Sequence, residues 1–126
     1  MKRVYVAGKY SDDNVLSVLG NIGRGIKLCK DLFLMGYAPF CPWLDHQYVL
    51  HTTDDERKSL TVSMFHAYSL AWLDVSDYML VIPDRIENSR GVQAEIARAN
   101  QIGIPIFYSI EEMINHERGI SEVFGG

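Results

Sequence analysis

Apolar positions along the chain fall into two kinds of run. Short apolar blocks are separated by longer segments in which apolar residues recur every three or four positions. Val4–Ala7 ("VYVA") is a β-prone block ending at Gly8, the pattern of a buried strand. From Asn14 to Met35 the apolar residues Ile22, Ile26, Leu28, Leu32 and Leu34 keep helical spacing, and Gly36 stands where that helix would stop. "YAPFCP", Tyr37–Pro42, reads as a second strand whose prolines mark a sheet edge. A polar connection follows over Trp43–Thr53, then a helix over Asp54–Leu73, then a third strand, "DYMLVIP", over Asp77–Pro83. The loop "DRIENS" leads into a helix at Arg90–Ile102, and "GIPIFY", Gly103–Tyr108, is a fourth strand. "SIEEMINH" closes the pattern as a last helix, with Ser109 and Glu112 at capping-box spacing.

Strand and helix therefore alternate four times, which implies a parallel sheet covered by helices. Right-handed crossovers and short connections favour an α/β, three-layer, flavodoxin-like (Rossmann-like) fold with four to five parallel strands and helices on both faces. The 126 residues contain no repeat or linker, so one domain over 1–126 is expected. Ligands of such sheets bind beyond the carboxyl ends of the strands. Here those ends are Gly8–Ser11, Pro42–His46, Pro83–Ser89 and Tyr108.

"SRGVQAE" is thereby placed where chemistry is expected. Ser89 can cap the helix, its first turn offers free N–H groups to an anion, and Gly91 lets a ligand approach the backbone. Glu95 shares a face with Val92, Ala99 and Ile102, the apolar side, among the small residues Ala94, Ala97 and Ala99. It reads either as a poised carboxylate or as a helix glutamate stabilised by the dipole. The first loop, "AGKYSDD", has no GxGxxG and no P-loop pattern, which argues against nicotinamide and nucleoside-triphosphate sites. Lys9 there is either an anion contact or a solvated lysine. Tyr5, pointing opposite to Val4 and Val6, either reaches over the sheet end or fills the core. In the connection, Asp45, His46, His51 and Asp54 match no zinc spacing, so no metal and no cofactor are expected. Trp43 and Tyr48 are candidate stacking surfaces for a base. His66 reads as structural.

Composition narrows the ligand. A net charge of −4 offers no basic face for a nucleic acid polymer, while a small anion needs only a local pocket. Cys29 and Cys41 read as buried free thiols rather than a disulfide framework. No apolar run approaches the ~20 residues that span a bilayer, and the start lacks a signal-peptide pattern, so no membrane partner and a cytoplasmic location are expected. "MFHAYSLAWL" is apolar around much of its circumference, which suggests burial against a second copy in a homodimer.

Four segments in order, "VYVAGKYS", "NIGRGIKLCKDLFLMGYAPFCP", "LAWLDVSDYMLV" and "SRGVQAEIARANQIGIPIF", resemble the nucleoside 2-deoxyribosyltransferase-like superfamily over about residues 3–108. That superfamily includes nucleoside 2-deoxyribosyltransferases and 2'-deoxynucleoside 5'-phosphate N-hydrolases. The resemblance implies N-glycosidic bond cleavage, with Glu95 as the nucleophile that forms a covalent glycosyl ester and Tyr5 as the tyrosine that holds it. Ser89 matches the serine of the phosphate-accepting members, where transferases of free nucleosides carry aspartate, so a nucleoside 5'-monophosphate is the implied small-molecule partner. Asn21 and Gly91 match positions common in the family. Gly8, Lys9 and Ser11 of the first loop, with Asp45 and His46, complete the implied substrate contacts. Ser11 stands where some phosphate-specific members have arginine, with Lys9 as a substitute cation. One departure matters. Ser69 replaces the aspartate that precedes "L-x-W-L" and assists the leaving base, and serine is no general acid near neutral pH. Asp45, His46 and His66 are candidates to replace it; otherwise the protein binds nucleotide without turnover, as a sensor would.

Overall fold

A computed structural model describes residues 1–124, with side chains through Ile120. Four strands, β1 (Arg3–Ala7), β2 (Ala38–Phe40), β3 (Tyr78–Val81) and β4 (Ile106–Phe107), form one parallel sheet in the order β2-β1-β3-β4. Helices α1 (Val15–Leu34), α2 (His46–Leu50), α3 (Asp54–Lys58), α4 (Val62–Leu73), α5 (Arg90–Ile102) and α6 (Ile110–Phe124) connect and follow them. The fold is flavodoxin-like α/β, as the alternation predicts, and the proline-marked strand β2 is an edge.

Alternation along the strands divides the core into two layers. Val4, Val6, Tyr78 and Leu80 face Cys29 and Leu32 of α1 and Met113 of α6. Tyr5, Ala7, Met79 and Val81 face Leu73 of α4 and Val92 and Ala99 of α5. Both faces of β1 and β3 are thus buried, which is why their residues read as unbroken apolar runs. Gly36 at φ +94° and Gly103 at φ +81° end α1 and α5 in the left-handed conformation that glycine adopts without strain.

Three segments depart from the sequence pattern. The helix expected over Asp54–Leu73 is two helices, because two threonines cap separately. Thr53 and Glu56 form a capping box on α3, and Thr61 Oγ1 accepts from Met64 N–H to start α4. The polar connection is likewise not irregular, since Pro42–Asp45 form a 3₁₀ turn that runs into α2. The fourth strand is shorter than Gly103–Tyr108, because Gly103 caps α5 and Pro105 has no N–H to give to the ladder. At the last helix, Glu112 N–H donates to Ser109 Oγ as expected, while the Glu112 carboxylate accepts from Tyr108 N–H, one residue before the cap. No helix among the described residues is long and apolar enough to cross a membrane.

Candidate active site

The carboxyl ends of β1, β2 and β3 open into a cleft of about 560 Å³, within the size range of small-molecule sites. Its lining comes from the loop Gly8–Asp13 after β1 and from Asn88–Val92 and Glu95 at the start of α5. Pro42, Trp43 and Asp45 come from the segment after β2, and Val62, Phe65, His66 and Ser69 from α4.

Glu95 is half-buried and the Tyr5 hydroxyl donates to its Oε1 at 3.0 Å. Tyr5 itself is wholly buried and stacks on Phe40 at 5.4 Å, which in turn stacks on Trp72 at 5.6 Å. The Tyr5 ring is therefore core, while its hydroxyl reaches Glu95 on the cleft wall. Burial, and then the neighbouring Glu95 charge, raise the Tyr5 pKa far above its ordinary value, so this group stays a donor; a hydrogen bond with Ser69 acts against that shift. For Glu95, burial outweighs the Tyr5 hydrogen bond and pushes the carboxyl up to about 7.

That shift has a cost in stability with a definite sign. Below an ordinary value of 4.5 the carboxyl is protonated whether the chain is folded or not. As pH rises through about 7 the folded chain must ionise a carboxyl that the unfolded chain ionised earlier, so stability falls. At 1.36 kcal/mol per pH unit, a rise from 4.5 to about 7 costs on the order of 3 kcal/mol by pH 8. Glu95→Gln removes it and keeps an acceptor for Tyr5. Thermal melts should show the variant about 10 °C above wild type at pH 8 and level with it at pH 4. A difference that does not change with pH would contradict the shift.

Ser89 caps α5, its Oγ accepting from Val92 N–H at 3.4 Å, so the cleft receives the positive end of a 13-residue helix. The N–H groups of Arg90 and Gly91 have no partner within the helix, as in any first turn. A Cβ on Gly91 would meet nothing within 4 Å, so the glycine borders open space. Lys9, Ser11 and Arg90 line the same cleft. Asp12 lines it as well, and its carboxylate is tied to Arg85 at 3.2 Å. Arg85 holds φ +53°, the single non-glycine residue at positive φ among those described, and also donates to Asn21 Oδ1 at 3.3 Å. It thereby joins the loop after β3 to the loop after β1.

The structure brings Gly8, Lys9, Ser11, Asp45, Ser69, Ser89, Gly91 and Glu95 to the cleft wall, with Tyr5 bonded to Glu95 beneath it. Two of the expected substrate contacts are not on that wall. Asn21 is buried, its amide donating to the Tyr10 carbonyl at 3.1 Å while its oxygen accepts from Arg24 and Arg85. His46 Nδ1 donates to the Trp43 carbonyl at 2.6 Å and its Nε2 accepts from Gln47. Both side chains are occupied in holding the loops around the cleft. Trp43 is no free stacking surface either. It is 1% exposed, and its indole N–H donates to the Lys9 carbonyl at 3.1 Å. Tyr48 is exposed and pairs with Tyr68, away from the cleft lining.

Sequence reasoning missed Tyr10, Phe65 and Arg90 as lining residues; His66, read both as structural and as a candidate acid, lines the cleft. Tyr10 donates to Asp45 Oδ1 at 2.9 Å. No local signal marks that pair, since the partners lie 35 residues apart. Among the described residues no three His, Cys, Asp or Glu side chains come together as a metal site.

Residues 2–109 match a family described as a domain of unknown function, DUF7768. The chain belongs to that family. The DUF7768 fold is similar to a solved structure of a 2-deoxyribosyltransferase from the psychrotolerant bacterium Bacillus psychrosaccharolyticus, with a TM-score of 0.54 at 17% identity. The alignment covers 82% of this chain and 69% of that one, and the likeness is one of fold. No curated protein matches the DUF7768 chain.

Proposed function

We propose that the chain cleaves the N-glycosidic bond of nucleoside 5'-monophosphates, by hydrolysis or by transfer to a second base. Glu95 attacks the anomeric carbon, a covalent glycosyl ester forms, and water or an incoming base resolves it. The observation that carries this reading is the Tyr5–Glu95 hydrogen bond at the carboxyl end of the sheet, which holds a carboxylate against an open cleft. Fold likeness to a 2-deoxyribosyltransferase supports the same chemistry by analogy. The 5'-phosphate is assigned to the first turn of α5, at Ser89 and Arg90, with Lys9 of the same cleft as a further cation.

The test is chromatographic release of free base from a panel of ribo- and deoxyribonucleoside monophosphates and the matching nucleosides. Turnover of monophosphates in preference to nucleosides is expected. Ser89→Asp places a carboxylate where the phosphate binds, and like charges in contact cost several kcal/mol. It should raise KM for the monophosphate about 10²-fold and leave turnover of the free nucleoside within about threefold. Equal effects on both substrates would refute this placement of the phosphate.

Ser69 favours a second reading, a nucleotide-binding protein without turnover, because a buried serine stands where an acid is needed. It predicts a raised thermal midpoint with one monophosphate, since a ligand of the folded state must stabilise it, and no base release from any.

A further inference from the structure

Cleavage of an N-glycosidic bond leaves an electron pair on a base nitrogen, and protonating it speeds departure. Ser69 cannot supply that proton. Resting on the glycosidase reading, we infer that Asp45 is the general acid of this site, delivering a proton to the departing base and held in place by Tyr10.

Asp45 is half-buried on the cleft wall, reached from the 3₁₀ turn after β2, whereas Glu95 comes from α5 on another side. Tyr10, from the loop after β1, donates to Oδ1 at 2.9 Å. A single tyrosine hydroxyl fixes one oxygen and does not neutralise the carboxyl as an arginine or lysine would. Indeed no cation forms an ion pair with Asp45 among the described residues, while Asp12 pairs with one cation and Asp31 with two. Burial raises the Asp45 carboxyl above its ordinary range, against the Tyr10 bond and the nearby His46. The other titratable groups that feel its charge are Tyr5 of β1, Cys41 after β2 and Tyr68 of α4. Tyr5 and Tyr68 stay protonated hydroxyls, and none of the three is a cation, so none competes as a counter-charge. Lys9, Asp12, Asp13, His66, Arg90 and Glu95 are the remaining titratable residues of the cleft.

The step balances as follows. A Glu95 oxygen forms a bond to the anomeric carbon as the carbon–nitrogen bond breaks. The electron pair of the broken bond stays on the base, which takes the proton from Asp45. The Asp45 carboxylate then accepts a proton from water as the water oxygen bonds to the anomeric carbon and the ester bond returns its pair to Glu95. Between them the two carboxyls carry one proton in the productive form, on Asp45. The rate therefore follows a bell in pH whose limbs belong to the pair.

The experiment compares wild type, Asp45→Asn, Tyr10→Phe and His66→Gln on a nucleoside monophosphate and on a 4-nitrophenyl 5-phosphoriboside, whose leaving group needs no proton. Asp45→Asn should lose about 10²-fold or more in kcat/KM on the nucleotide and less than about tenfold in kcat/KM on the nitrophenyl substrate, because that ratio reads only the steps through departure of the leaving group. Its pH profile should lose the alkaline limb and become a single rise through about 7, where Glu95 ionises. Tyr10→Phe, which keeps the carboxylate, should show the same selectivity with a smaller loss. Equal losses on both substrates, a retained bell in Asp45→Asn, or the leaving-group signature in His66→Gln instead would overturn the assignment. Wild type that cleaves neither substrate would bring down the glycosidase reading and this one with it, whereas wild type active on both isolates Asp45.

Discussion

Glu95→Gln is expected to lower kcat for base release by at least about 10³-fold while the protein stays folded. The expectation rests on what the substitution leaves in place. Glutamine has the length and shape of glutamate, and its amide oxygen still accepts the Tyr5 hydroxyl that reaches Glu95 at 3.0 Å. Phe40 and Trp72 continue to brace the Tyr5 ring, so the geometry beneath the cleft is kept. What disappears is the anionic oxygen that bonds to the anomeric carbon, and an amide does not replace it as a nucleophile. A second readout separates this role from simple binding. Acid-quenched wild type should carry the mass of a sugar phosphate on the peptide containing Glu95, and the variant should carry none. Turnover of Glu95→Gln within tenfold of wild type, or a quenched enzyme without adduct under conditions of rapid turnover, would remove Glu95 as nucleophile.

How legible the site was depended on the range of the interaction that makes each part. Helix α5 is readable to the residue, because Ser89 at its start and Gly103 at its end act on neighbours within four positions. The alternating apolar blocks likewise fixed the parallel sheet and put Tyr5 on the face opposite Val4 and Val6. By contrast, nothing near Asp54–Leu73 distinguishes one long helix from two, since Thr53 and Thr61 are each good caps and equally ordinary mid-chain threonines. The contacts that shape the cleft are longer in range still. Tyr10 meets Asp45 across 35 residues and Arg85 meets Asp12 across 73, and no periodicity records such pairs. Asn21 was assigned to substrate on a positional match, yet its polar atoms are consumed by Tyr10, Arg24 and Arg85. A family position transfers a residue type, and the neighbours present in this chain decide what that residue bonds.

The most severe loss of stability is expected from Gly25→Ala. A Cβ at that position would lie 2.2 Å from Trp43 Cδ2 and Cε3, inside any tolerable contact. The indole cannot give way. It is 1% exposed, it meets the Gly8 backbone on its far side, where a Cβ would be 2.9 Å from Cζ2, and its N–H is committed to Lys9. Helix propensity works in the other direction, since alanine is better than glycine by up to ~1 kcal/mol in a helix interior. Overpacking of a rigid core costs typically 1–3 kcal/mol, and an overlap this deep belongs at the upper end, so the steric effect wins. A net loss of about 2–3 kcal/mol is expected, read as a lower midpoint in chemical denaturation with an unchanged slope. Gly23→Ala is the internal control. It lies two residues away on the same helix with nothing within 4 Å of its Cβ, and it should gain about 0.5–1 kcal/mol. Opposite signs at these two glycines would establish that Trp43 is wedged between α1 and the loop that carries Lys9. Equal stabilisation by both would mean that the indole moves freely and that the floor of the cleft is not built on it.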